Sequence, residues 1–536
     1  MRLALIFPPS MPPTSPPCGI AYLKAFIGQG TLFDLNLAYH DIAVDMIGKG
    51  ILSVDAEVSG YVIEPEHLQK AVNFLKGETR EFFDPEQYNM NTTIFVNYMK
   101  KINAYLSEQC IKYVTRSSMD EEASHFFDQL LSPVKACNPD VVGFSQLILP
   151  QREFVLGIAK KLKEEDISII IGGASLWYNP EAYLSKISTQ IDVSHLVDAA
   201  FYGEGEKPLA LYMEGESLEK IPNIVYKNGS IIKNEESGIE DLDTLPPPDF
   251  DDFPLKEYYS PGIILPLLTS RGCYWRRCTF CIHHKTYYHY RVRSTEKVIE
   301  DLKKLQKKYQ TSHFCIIDEM IHPHRFHQLC SSILEEGLMI RLSVYAKPTR
   351  DFSEEVLKTM YRAGVRNILW GVESGTQRIL DVIDKGTNVP DIETVLKTSH
   401  EVGIWNMIFI IIGYPTQTEE DILNDISFFT RNDPFISTAA KSLFQLEVGS
   451  RLYENPEKGC ITRIEHNPDP FSSVCHYEVS QGLLNKEAER IYGEHWHIIA
   501  RLSKVSPYFG RLRDHMLLFA DHFSSHPLEI HGNGEE

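Results

Sequence analysis

Residues 271–281 read R-G-C-Y-W-R-R-C-T-F-C. Three cysteines, Cys273, Cys278 and Cys281, fall in nine residues with the spacing C-x4-C-x2-C. The other seven, at Cys18, Cys110, Cys137, Cys315, Cys330, Cys460 and Cys475, are scattered. A disulfide takes two sulfurs, and a structural zinc takes four ligands. An iron–sulfur cube held by three cysteines leaves one iron open to a further ligand. Two other readings stand beside the cube: three core thiols, or zinc with His283 or His284 as fourth ligand.

The sequence around this loop alternates strand-like and helix-like stretches. Candidate strands are Ile263–Leu268, His313–Ile317, Ile340–Ala346, Asn367–Val372, Met407–Ile412 and Ser442–Glu447, with helices between them. Ser294 caps one helix whose Val298, Ile299, Leu302 and Leu305 form an apolar stripe, and Ser353 caps another that stops at Gly364. A full βα barrel needs eight such units, so six predict a partial barrel over 263–450. The cysteines then lie on the loop after its first strand, at the edge where catalytic groups collect in barrels.

The first 205 residues form a second alternating unit. Leu3–Phe7, Asp140–Leu147, Ser168–Gly173 and Val197–Tyr202 read as strands, and Gly19–Ile27 and Phe154–Leu162 as helices. Continuous apolar strands with intervening helices predict a parallel sheet covered on both faces. Residues of about 60–130 break the pattern with helix-like, aromatic-rich sequence and are expected to be an inserted helical layer. Residues 206–262 are a connector with a hairpin turning at Asn228–Gly229 and a stiff L-P-P-P-D-F linker. Residues 451–536 become irregular and then helical, for example over Ala488–Leu502.

Composition narrows the function. The chain has 536 residues, 43% of them hydrophobic and 24% charged, with a net charge of −20. So acidic a chain is a poor tracker of nucleic acid by general electrostatics. No apolar run reaches about 18 residues, so no membrane span is expected. The apolar N-terminus stops at Pro8, too soon for a signal peptide. A cytoplasmic protein with free scattered cysteines follows.

The cysteine loop, with Phe280 before its last cysteine, resembles the radical S-adenosylmethionine superfamily. There the three cysteines are usually spaced C-x3-C-x2-C, and this chain has one residue more. The resemblance implies a [4Fe-4S] cluster and S-adenosylmethionine bound at its open iron. It also implies contacts to that molecule from Phe280, from Asp318 and Glu319 in I-I-D-E-M (316–320), and from Glu373 and Ser374 in G-V-E-S-G (371–375). Gly413 in I-I-G-Y-P-T-Q-T-E-E-D (411–421) completes the set. A low-potential electron donor such as flavodoxin or ferredoxin is implied as partner.

The N-terminal pieces I-F-P-P…P-P-C-G-I-A-Y-L, V-V-G-F-S, I-I-I-G-G and Y-G-E-G-E resemble the cobalamin-binding domain of one branch of that superfamily. This implies cobalamin near Ser145, Gln146, Leu147, Gly172 and Gly173. The corrinoid motif D-x-H-x-x-G is absent, so either the cobalt has no lower-face histidine or the domain is a relic that binds no cobalamin. The expected activity is methylation of an unactivated carbon in a peptide or natural product, with radical rearrangement or cyclisation as the alternative. A non-catalytic zinc protein on the same scaffold is the reading from another class. The aromatic-rich segment 81–99 and the C-terminal helices are expected to contact substrate.

Overall fold

A computed structural model describes residues 1–58, 61–77, 80–187, 191–287 and 289–525. Residues 60, 78 and 79 of the expected 60–130 insertion and the last eleven of the 451–536 region lie outside it.

Two sheets organise the chain. The first has seven strands in the order Thr31–Asp34, Leu3–Phe7, Val141–Ser145, Ser168–Gly172, Ala199–Phe201, Ile224–Asn228 and Ser230–Lys233. The first five run parallel, and the last two are an antiparallel hairpin added at the edge. The central strands are buried throughout, as their unbroken Val/Ile/Leu runs require for a sheet covered on both faces. Helices Cys18–Ile27, Arg152–Lys163 and Glu206–Glu214 connect them. The helical layer is present as Pro65–Lys76, the long helix Pro85–Arg116 and Glu121–Ala136. Asp84 starts the long helix by accepting from the Gln87 N–H, with Pro85 in the first turn where its missing N–H costs nothing. The hairpin, expected in a connector, belongs to this first sheet.

The second sheet has six parallel strands in chain order: Ile264–Leu267, His313–Ile316, Arg341–Ala346, Val365–Glu373, Trp405–Ile412 and Thr438–Leu443. Its first and sixth strands are not paired with each other, so the barrel is open. The helix Thr295–Tyr309 buries Val298, Ile299, Leu302 and Leu305 beneath its Ser294 cap, and Ser353 caps Glu354–Arg362. The sixth strand lies four residues earlier than its expected start at Ser442. It is an edge strand with a neighbour on one side only and largely exposed positions, so its T-A-A-K-S-L sequence lacks the apolar run that marks the others.

The region after the barrel is less helical than its sequence suggests. Leu446–Glu447, Val474–Val479 and Ile461–Glu465 form a small antiparallel sheet. The expected 488–502 helix is two helices, Asn485–Glu494 and Trp496–Arg501. The helix Arg513–Ser525 closes the amino-terminal end of the barrel. Its Asp521 meets His313, Arg341 and Arg366, each at or near the start of a barrel strand. Its His515 ring bridges Tyr88 of the long helix, at 2.9 Å, and the Tyr259 carbonyl, at 2.6 Å.

Candidate active site

The first barrel strand ends at a buried carboxylate. Asp318, just beyond the second strand, accepts from the Thr269 N–H, the Thr269 hydroxyl and the Ser270 hydroxyl, each at 2.6 Å. Its side chain is thus committed to fixing the root of the cysteine loop. Ser270 and Arg271 then pair antiparallel with Val292 and Arg291, a ribbon that frames the cysteines. Glu319 turns toward the loop: its carboxylate lies 3.0 Å from His283 Nδ1 and meets the Tyr287 hydroxyl.

Within the loop the residue between Trp275 and Arg277 takes a left-handed backbone. Arg276 has φ 53°, its guanidinium donates to the His284 carbonyl and its own carbonyl accepts from Arg451. The second half is held by the segment V-I-D-K-G (382–386), which sequence reading passed over. Thr279 N–H donates to the Ile383 carbonyl at 2.8 Å, and the Trp275 indole donates to the Asp384 carbonyl at 2.8 Å. Gly386 has φ 66°, and a Cβ there would fall 2.1 Å from the indole ring. Only glycine allows Trp275 to lie so close on this backbone.

All three cysteines are free thiols and half-buried. Burial raises the Cys278 and Cys281 thiols, Cys281 to about 12; Cys273 raises both further, and Cys278 also raises Cys281. Such mutual repulsion between thiolates is relieved by a bound cation. The His283 N–H already points at Cys281 Sγ, 3.4 Å away. Among the described residues no three His, Cys, Asp or Glu side chains converge on a single-ion site. His283 faces Glu319, and His284 Nδ1 lies 3.0 Å from the Cys281 carbonyl. Three free thiols on one loop are the donor set that a cluster with one open iron would take.

Two buried lysines stand beside the thiols. Lys385 Nζ is 2.6 Å from Glu373 Oε1 and 6.0 Å from the Phe280 ring centroid. Burial opposes its charge, but Glu373 and Cys278 outweigh that and hold it above the ordinary lysine range. Burial, and Lys385 itself, push Lys347 down to about 8. Glu373 ends the fourth strand with φ 67°. Ser374, Gly375 and Thr376 all donate to Asp425 Oδ1, while Gln417 and Tyr492 donate to its Oδ2. Burial raises this carboxyl to about 6 despite those donors. Gly413, at the end of the fifth strand, packs against Asn485 and donates to Gln417 Oε1 at 2.8 Å. Ser374 and Gly413 thus join one Asp425 network, and Phe280 sits with Cys278 against Tyr414 and Ile411.

At the carboxyl edge of the first sheet, Gln146 N–H donates to the Gly172 carbonyl at 2.8 Å. Gly173, at φ 108°, would place a Cβ 2.3 Å from the Gln146 carbonyl oxygen, so this second glycine serves the backbone approach. The Gln146 side chain is buried and accepts from Tyr183 at 2.6 Å. Ser145 is half-buried beside Gly19. Leu147 is the member of the set that faces outward, at 45% exposure.

The two carboxyl edges meet. Glu204 and Glu206 follow the Ala199–Phe201 strand, and both pair with Arg271, with Arg291 also held by Glu204. All four are buried or nearly so. Cys18 Sγ lies 3.4 Å from the Pro266 carbonyl, and the Leu268 N–H donates to the Tyr22 hydroxyl. Beyond the barrel, Asp469 pairs with Arg152 and Phe471 packs on Tyr183 and Arg152. The loop between the last two strands thereby straps onto the first unit.

Residues 267–429 match the Radical SAM superfamily. An uncharacterized methyltransferase of Pyrococcus horikoshii is 27% identical over 340 residues, 61% of this chain and 72% of that protein. The anaerobic magnesium-protoporphyrin IX monomethyl ester cyclase of Rubrivivax gelatinosus is 24% identical over 314 residues, 55% of each chain, so the match spans about half of that cyclase. The structure of TsrM from Kitasatospora setae, a radical S-adenosylmethionine methyltransferase solved with cobalamin and a [4Fe-4S] cluster, superposes with a TM-score of 0.60. At 14% identity it covers 98% of this chain and all of that one, a likeness of fold. The three free thiols thus lie on the loop after the first strand of an open six-stranded barrel, within the stretch 267–429 that matches the Radical SAM superfamily.

Proposed function

We propose that the chain is a cobalamin-dependent methyltransferase acting on an unactivated carbon of a peptide or natural product. The observation that carries this reading is the ion-pair junction of Glu204 and Glu206 with Arg271, which turns the ligand-binding edge of the first sheet toward the cysteine loop. Open parallel sheets bind ligands beyond the carboxyl ends of their strands. When bound, the reduced cluster supplies the electron that cleaves S-adenosylmethionine to a 5′-deoxyadenosyl radical, and cobalamin supplies a methyl carrier.

The chain's own residues position and shield. Cys273, Cys278 and Cys281 hold the cluster, with the His283 N–H on one sulfur. Glu373, fixed by Lys385, is aligned to accept from the ribose hydroxyls. Trp275 and Phe280 keep water from the loop. Leu147 would offer an apolar surface to a bound corrin ring. A flavodoxin or ferredoxin is the proposed electron donor. Among the described residues no helix is long and apolar enough to cross a membrane.

Anaerobic reconstitution with iron, sulfide and hydroxocobalamin, followed by gel filtration, tests the reading. Equimolar retained cobalamin that accepts a deuterated methyl group from labelled S-adenosylmethionine supports it. Iron retained with cobalamin washed out would overturn methyl transfer and leave radical cyclisation or rearrangement, the reading that the cyclase relative favours.

A further inference from the structure

Lys347 follows the third barrel strand directly and only 2% of it is exposed. Its ammonium lies 3.3 Å from the centroid of the Trp275 ring and 5.8 Å from that of Tyr274, both residues of the cysteine loop. It donates to the Lys385 carbonyl at 3.2 Å. Among the described residues no carboxylate forms an ion pair with it, whereas Lys385 has Glu373. The charges it faces are two cations, Lys385 and Arg277, and two thiols, Cys278 and Cys273. A buried ammonium without a counter-ion is costly, and the face of an indole offsets only part of that cost. The site is therefore electrostatically incomplete until negative charge resides at the thiols.

We infer that Lys347 is a charge-positioning residue that raises the reduction potential of the cluster held by Cys273, Cys278 and Cys281. The inference rests on the cluster assignment above. One-electron reduction adds one negative charge to the cluster. The electron comes from a low-potential flavin or iron–sulfur donor protein, and no bond to carbon forms or breaks in that step. A fixed cation next to two of the thiolates stabilises the reduced form more than the oxidised form. Net charge and solvent exposure are among the levers that set iron–sulfur potentials. Trp275 covers the ammonium and keeps water away, which preserves the strength of the interaction. Lys385 has the same sign of charge, but Glu373 neutralises it, so Lys347 is the uncompensated member of the pair.

The test is a potentiometric titration of the reconstituted full chain, read by the paramagnetic resonance of the reduced cluster, with iron content measured on the same samples. Lys347→Met and Lys347→Gln remove the charge at nearly constant length, and Lys347→Arg keeps it. In both neutral variants the ratio of reduced to oxidised cluster at a fixed potential should fall at least tenfold. That is a downward shift of about 59 mV per tenfold for one electron. Lys347→Arg should stay within about threefold of the wild type, equivalent to half a tenfold step on the same scale. Neutral variants that bind a full complement of iron yet titrate with the wild type would overturn the inference. So would neutral variants that bind no iron, because Lys347 would then build the loop and not tune what it holds. Wild-type protein that binds no iron would instead remove the cluster assignment itself.

Discussion

The guanidinium of Arg271, two residues before the first cysteine, closes on the carboxylate of Glu206, which follows the last parallel strand of the other sheet. Both side chains are buried, at 7% and 5% exposure, and Glu204 stands 3.1 Å away on the same guanidinium. The pair fastens the cysteine loop to the first sheet. Removing one partner of a buried pair costs roughly 3–5 kcal/mol. Because Glu204 remains, Glu206→Ala should cost about 3 kcal/mol, the low end of that range. Chemical denaturation should show a clearly lower midpoint for Glu206→Ala and none for Glu216→Ala, whose ion pair with Lys220 is exposed. Equal midpoints would mean that the junction carries no stability.

Asp521 anchors the last helix to the bottom of the barrel. Burial works against its charge, but His313 and Arg341 overcome this and lower it to about 2 from 3.8. A depressed carboxyl stabilises the fold above its unfolded value and loses that contribution as pH falls through the folded one. Asp521→Asn should therefore cost on the order of 2 kcal/mol near neutrality. The gap to wild type should hold down to about pH 4 and shrink between there and about pH 2. Urea titrations at neutral and acid pH check this, and a gap that widens on acidification contradicts it.

Glu373→Gln keeps the shape of the side chain but removes the charge proposed to receive the ribose hydroxyls. Hydrogen bonds to charged groups contribute roughly 1.5–3 kcal/mol. Binding of S-adenosylmethionine by calorimetry should weaken about tenfold or more, with iron content intact. Unchanged affinity would leave Glu373 as the counter-ion of Lys385 alone.

No histidine lies in residues 8–17, 146–151 or 173–184, the stretches that follow three of the parallel strands of the first sheet. Cobalamin held with neither its own base nor a protein histidine on the lower face should show, as cob(II)alamin, no threefold nitrogen splitting in its paramagnetic resonance spectrum. A strong lower nitrogen ligand would disfavour the low-valent metal that must attack a methyl donor, and the outward Leu147 avoids it. Appearance of the splitting would mean that a lower nitrogen, from cobalamin's own base or from elsewhere in the chain, is bound.

The buried parallel strands were legible because burial on both faces forces continuous apolar runs, as in Ile169–Ile171 and Ile408–Ile412. The cysteine loop was legible because thiols that close are rare outside metal sites. The sixth strand was misplaced because an edge strand such as Thr438–Leu443 needs little apolar surface. Lys347, Lys385 and Asp425 carried no sequence signal. A lone lysine or aspartate looks the same on a surface and beneath a loop, and only the fold brings Lys347 and Lys385 near Cys278 and Asp425 against Ser374. Asp318 was read as a ligand to S-adenosylmethionine, and three donors hold it to Thr269 and Ser270. A carboxylate at a strand end looks the same in either role until its partners are known.

The cluster on the three thiols is the centre of the account, and anaerobic iron analysis paired with an assay for 5′-deoxyadenosine tests it most directly. The wild type should be brown, hold about four irons per chain and release 5′-deoxyadenosine from S-adenosylmethionine on reduction. Cys273→Ala, Cys278→Ala and Cys281→Ala should each lose both properties. Cys315→Ala, Cys330→Ala and Cys460→Ala should keep their iron, since Cys315 lies against Asp514 and Cys330 is enclosed in the core. A colourless protein with stoichiometric zinc, or a Cys315→Ala variant that loses iron as completely as Cys278→Ala, would contradict the account.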